Sequence, residues 1–137
     1  MVRVLTGLLL AYLAYGALMV TLHRRFIYPF GQEVFADPRF QRVMIAVPGA
    51  DPVPVAVHLA ANPRAPVILY FMGNVGYLTA FQPAFDLHIA AGRTVIALEY
   101  RGGGGVPGQP REAGLKADAL ALYDWVATQR AAGQGLA

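Results

Sequence analysis

Two short stretches hold most of the groups that could do chemistry. Tyr70-Phe71-Met72-Gly73-Asn74 closes one apolar run, and Glu99-Tyr100-Arg101-Gly102-Gly103-Gly104-Gly105 closes another. Both fall at the C-terminal ends of expected strands, the edge where open α/β sheets bind ligands. The second stretch also contains G-x-G-x-x-G at Gly103, Gly105 and Gly108. A dinucleotide site needs a helix to begin within that motif, so that its N-terminus faces the pyrophosphate. Pro107 and Pro110 instead keep the chain extended to Arg111, and no acidic residue ends a following strand, so nucleotide binding is set aside.

The other candidates are scattered. His23, His58 and His88 show no metal-pair spacing, and Asp86, Asp118 and Asp124 read as solvated helix-face charges. No cofactor or metal is implied. The chain contains neither serine nor cysteine, so neither common form of covalent nucleophile is available within it. Thr79 and Thr94 are poor substitutes, since neither is N-terminal and no base is evident beside them.

The elements that must position these loops follow from periodicity. Val43, Ile45 and Val47 alternate in one strand, and Val53, Val55, Val57 and Leu59 in the next, across the turn cluster Pro48–Pro52. Val67–Met72 and Thr94–Tyr100 are apolar without alternation, which suits strands covered on both faces. Between them Thr79 and Gln82 spell a capping box, followed by a helical stripe of Phe81, Phe85, His88 and Ile89 that Gly92 stops. A last helix begins after Pro110, with Glu112 in its first turn and Leu115, Ala119, Leu122 and Val126 as its core stripe. The order hairpin, strand, helix, strand, helix predicts an α/β domain with a parallel crossover.

Val4–Leu22 runs without a charge and spans about 28 Å as a helix, close to the bilayer's hydrocarbon thickness. Arg3 precedes it, and His23, Arg24 and Arg25 follow. It reads as a single-pass anchor in the lipid bilayer. The competing reading, a cleaved signal peptide with Ala14-Tyr15-Gly16 as its site, leaves a further apolar run unexplained. Arg24, Arg25, Arg39 and Arg42 after the span, against Arg3 before it, lean toward a cytoplasmic domain. Residues 1–25 are thus the anchor, 26–41 an aromatic, proline-punctuated connector lying on the domain or bilayer surface, and 42–137 the α/β portion. Net charge is +3 with no dense basic stripe, which disfavours nucleic acid as a partner.

The two loops in register resemble the α/β-hydrolase superfamily, in its membrane-anchored esterase- or serine-peptidase-like branch. There the first loop reads His-Gly-Asn and the second Tyr-Arg-Gly-x-Gly-x-Ser-x-Gly, before a helix carrying Asp and Trp. The shared residues are Tyr70, Gly73-Asn74, Tyr100-Arg101-Gly102, Gly108, Pro110, Glu112, Gly114, Asp118 and Asp124-Trp125. The resemblance implies the first half of such a sheet, with the Asn74 main-chain N–H lent to an oxyanion hole and Gly73 permitting close approach. Met72 replaces the usual histidine and Val106 the usual serine. The nucleophile elbow, triad acid and triad histidine belong after the last helix. The resemblance therefore implies carboxylic-ester or peptide-bond hydrolysis in the intact family, and a portion that is catalytically incomplete and marginally stable alone, with an apolar strand edge open. The alternatives are a non-enzymatic membrane protein whose half-domain binds a partner chain supplying the second half, and a small ligand-binding α/β module.

Overall fold

The computed structural model describes residues 2–131. Helix α1 (Val2–Ile27) stands apart, and none of its most apolar window is buried against the protein. It is long and apolar enough to cross a membrane by length and composition, and it runs past the expected boundary at Arg25.

The remainder is a four-stranded mixed sheet with a helix on each face. Strands β1 (Gln41–Val47), β2 (Ala50–His58), β3 (Val67–Tyr70) and β4 (Thr94–Leu98) lie in the order β1-β2-β4-β3. β1 and β2 form the expected hairpin, and its turn is shorter than Pro48–Pro52 because β2 already starts at Ala50. β2 pairs antiparallel with β4, and β3 pairs parallel with β4. α2 (Gln82–Ala90), after a 3-10 turn at Leu78–Phe81, and α3 (Glu112–Ala131) complete the domain.

Alternating side chains on the sheet divide the core into two layers. Ile45, Val47, Val53, Val55, Val57, Ile96 and Leu98 meet Ala121, Leu122 and Val126 of α3. On the opposite face Ala56, Val95 and Ala97 meet Met72, Leu78 and Phe85. β2 is thus covered on both faces despite its alternating sequence, because small Ala56 lets the aromatic layer close over it. Gly92, at φ +67, ends α2 as its N–H donates to the Ile89 carbonyl.

Three sequence expectations require correction. The first buried strand ends at Tyr70, not Met72, and among the described residues it pairs on one side only, leaving Val67–Tyr70 half-buried. Thr79 and Gln82 form no capping box: Thr79 lies in the 3-10 turn, whose cap Tyr77 makes no side-chain bond. The Gln82 amide instead donates to Asp37 Oδ2 at 2.6 Å, a tertiary bond that displaces the local one. Asp118 is no solvated charge, being 1% exposed. The connector lies on the domain, largely exposed or half-buried, with Asp37 alone buried.

That connector carries its own lock. The Asp37 carboxylate accepts from the Arg39 main-chain N–H at 2.9 Å, from Arg39 Nε and Nη2, and from Gln82. Arg39 also reaches exposed Asp86 on α2. Phe35 and Phe40 place their rings 5.8 and 5.4 Å from that of Phe85. The chain from Phe35 to Phe40 is therefore part of the fold.

Candidate active site

The loops after β3 and β4 emerge side by side at the C-terminal edge of the parallel pair, as the motif spacing predicts. They are joined by the connector passing between them. The Gly31 N–H donates to the Val75 carbonyl at 2.8 Å, and the Gly104 N–H donates to the Gly31 carbonyl at 2.9 Å. The Gln32 amide adds a bond to the Gly102 carbonyl at 2.9 Å. Direct contact is close as well: a Cβ on Gly103 would strike the Gly76 carbonyl, and one on Gly76 would strike the Phe30 ring. Gly76 (φ +75) also occupies the left-handed region that glycine enters without strain. These glycines let two loops and a strap share one small volume.

Within the first loop Gly73 and Asn74 are exposed. No hydrogen bond within the described residues engages the Asn74 N–H. Met72, which takes the place of the usual histidine, is 3% exposed and packs with Leu78, Phe85 and Val95. It braces the loop by packing where an imidazole would use hydrogen bonds. Val106 is 6% exposed, and its main chain closes a tight loop, donating to the Gly103 carbonyl and accepting from the Gly102 N–H. An apolar side chain suits that buried position without needing a polar partner.

The second loop is tied to α3 by Arg101. Its guanidinium grips both Asp118 carboxylate oxygens, Nε to Oδ2 and Nη2 to Oδ1 at 2.8 Å each, and also donates to the Asp51 carbonyl. The Asp118 hydrogen bonds hold the Arg101 guanidinium above its ordinary range, so it is a permanent cation. Burial likewise pushes the Tyr100 phenol up, keeping it neutral. This pair is the element that sequence reasoning missed, although both residues sit in the resembled motif.

A second forked pair underlies the same edge. Arg42 Nε and Nη2 each donate to Glu99 at 2.9 Å. Burial raises the Glu99 carboxyl pKa more than Arg42 lowers it. A raised folded-state value means that Glu99 contributes stability below its unfolded pKa of about 4.3, and that this is lost as pH rises through the folded value. Asp37 has the opposite sign. Its Arg39 hydrogen bonds lower it, so its contribution is present above its unfolded value and lost on acidification. Glu99→Gln is expected to gain stability relative to the parent between pH 4 and pH 7, read by denaturant unfolding of the full chain at each pH. A difference that does not change with pH would count against the burial of Glu99 as the dominant influence.

What the edge offers is an exposed Gly73-Asn74 main chain, backed by the strap, with one buried ion pair (Arg101–Asp118) and one whose arginine is exposed (Arg42–Glu99) at the neighbouring loop. His23, His58 and His88 are not brought to it: His58 Nδ1 lies 3.0 Å from the Arg39 carbonyl, and His88 contacts Arg93. Thr79 stands in the 3-10 turn, and the Thr94 hydroxyl accepts from the Ala60 N–H. The glycine motif lies outside any helix, since α3 begins at Glu112.

No family model matches the chain. Over 65 residues it is 42% identical to an uncharacterized protein of Mycobacterium tuberculosis, a match covering 47% of this chain and 23% of that protein. Over 63 residues it is 38% identical to the lysophosphatidylserine lipase ABHD12 of Danio rerio, covering 44% of this chain and 16% of the lipase. The matches thus span less than a quarter of these relatives' length. Among solved structures, a protein of Xanthomonas campestris described as an a/b serine hydrolase without lid is similar with a TM-score of 0.49 at 23% identity, covering 71% of this chain and 48% of that one. A protein of unknown function from Agrobacterium tumefaciens, also described in terms of the α/β hydrolases, gives 0.49 at 20% identity, covering 64% and 43%. The resemblance to the α/β hydrolases, read from the two loops, is shared by a match to a protein named as a lipase over less than half of this chain.

Proposed function

We propose that this chain is the N-terminal portion of a membrane-anchored α/β hydrolase that cleaves carboxylic esters, and that it supplies the oxyanion half of the site without the nucleophile. The observation that carries the reading is the pair of strand-end loops, strapped together, with Gly73 and Asn74 exposed and the Asn74 N–H free of hydrogen bonds among the described residues. In acyl transfer such a donor stabilises the negative charge that develops on the carbonyl oxygen, where one N–H contributes about 3–4 kcal/mol. Attack on that carbonyl needs a hydroxyl or thiol with a base beside it, and no serine or cysteine occurs in these residues. A relative named as a lysophosphatidylserine lipase favours an acyl lipid over a peptide as substrate. α1 serves as the anchor, with the domain on the cytoplasmic side. Alkaline-phosphatase activity in a fusion after Arg42 would overturn that sidedness.

The chain reconstituted in lipid nanodiscs is expected to show no ester turnover and no mass increase after treatment with a fluorophosphonate. A covalent adduct on this polypeptide would contradict the division of roles. The nucleotide sequence next to the codon for Ala137 is a cheaper test, because a frame encoding G-x-S-x-G there supports the reading.

A second reading rests on β3. Its four residues are half-buried and bonded on one side only among the described residues, so it is a template for strand addition. A non-enzymatic protein using that edge to hold a partner chain would bind without turnover, and crosslinking at Ile68 would trap the partner.

A further inference from the structure

The strap between the loops has a geometric consequence for where the site lies. α1 ends at Ile27, and Gly31 is already hydrogen-bonded to both strand-end loops. Four residues reach at most about 14 Å even when fully extended. The apolar window of α1 ends at His23, and the four residues from there to Ile27 add about 6 Å of helix, comparable to a headgroup layer. The loop edge is therefore confined to within about 20 Å of the hydrocarbon boundary, however the helix tilts. The opposite edge, at the β2–β3 loop, lies a strand's length from this tether, about 17 Å for a five-residue strand, and is not held by it.

The surface of the near edge fits such a neighbour. Phe26 and Ile27 at the helix exit, Val34 beside the strap and Phe71 beside Gly73 are all exposed. Arg25 is exposed at the same exit, where a cation meets lipid phosphates.

We propose that the C-terminal edge of the sheet faces the bilayer holding α1, with the Phe30–Gln32 strap as a short tether, so that the site takes an amphiphilic acyl substrate from the adjacent leaflet. This rests on the anchored-hydrolase reading above. The tether fixes the approach direction: the exposed Gly73–Asn74 loop meets the headgroup layer, while Asn62 and Arg64 point to water. A substrate in that layer reaches the Asn74 donor without leaving the interface.

The chain has no cysteine, so single labels are unambiguous. Full-length Asn74→Cys, Ala61→Cys and Leu10→Cys variants would each carry a bimane in phosphatidylcholine vesicles containing headgroup or acyl-chain nitroxide lipids. Headgroup quenching severalfold stronger at position 74 than at 61, with position 10 quenched by acyl-chain nitroxide, is the expected result. A Gly/Ser insert between Ile27 and Tyr28 is expected to reduce the difference. Equal quenching at 74 and 61, or stronger quenching at 61, with position 10 embedded would overturn the placement while leaving the hydrolase reading intact. An unembedded position 10 would remove the anchor and this inference with it. Ester turnover is not the readout, so loss of the hydrolase reading would show separately.

Discussion

Arg101→Ala is expected to cost the domain about 3–5 kcal/mol, because it leaves a buried carboxylate without its counter-ion. Asp118 is 1% exposed and faces the guanidinium through three hydrogen bonds. Removing the arginine strands a charge where water does not reach it. Removing both partners does not, so the double variant Arg101→Met with Asp118→Leu is expected to recover much of the loss. Against a domain stability of about 5–15 kcal/mol, the single change would consume a large share. Urea unfolding of the full chain in nanodiscs, followed by Trp125 fluorescence, makes the comparison. If the single and double variants fall equally, the pair is not what joins the β4 loop to α3.

Phe85→Ala is the second large effect, at about 3–5 kcal/mol. The ring is fully buried and meets Tyr70 at 5.0 Å, Phe40 at 5.4 Å and Phe35 at 5.8 Å. It therefore joins α2, β3 and the connector in one contact set. Truncation opens a cavity among large rings that have little freedom to collapse into it. Because the connector loses its packing partner, protease sensitivity between Phe30 and Phe40 is expected to rise along with the loss of stability. Phe85→Leu is expected to lose less on both measures. A Phe85→Ala protein with normal stability and an intact connector would show that the aromatic layer is dispensable.

The hairpin and both helices were legible because each leaves a periodic trace in the chain, and β3 and β4 because each is an unbroken apolar run, although only β4 is fully buried. Val43, Ile45 and Val47 identify their strand without knowledge of its neighbour, and Phe85 identifies the buried face of α2. What periodicity does not encode is a partner far along the chain. Asp118 sits within a helix between half-buried Ala117 and Ala119, and only the distant Arg101 makes the burial of its charge tolerable. The Thr79–Gln82 spacing was a valid local motif that lost to a tertiary bond with Asp37. The connector was opaque for another reason. Its role depends on glycines 31, 76 and 103, whose contribution is the side chain they lack, and on aperiodic main-chain bonds. Of the candidate site, the two loops and Asn74 were readable from the motif, whereas the strap holding them in place was not.

The central claim is that the Asn74 main chain is an oxyanion donor in an esterase site completed by other residues. It is tested by replacing the corresponding segment of the Danio rerio lipase with residues 28–131 of this chain, strap included, and comparing Asn74→Ala with Asn74→Pro in that chimera by kcat for an acyl ester. Alanine keeps the N–H and proline removes it. The account predicts turnover that survives alanine and falls by about 10²–10³ with proline, in proteins that melt with equal cooperativity. A well-folded chimera without turnover, or equal rates for the two variants, would contradict it.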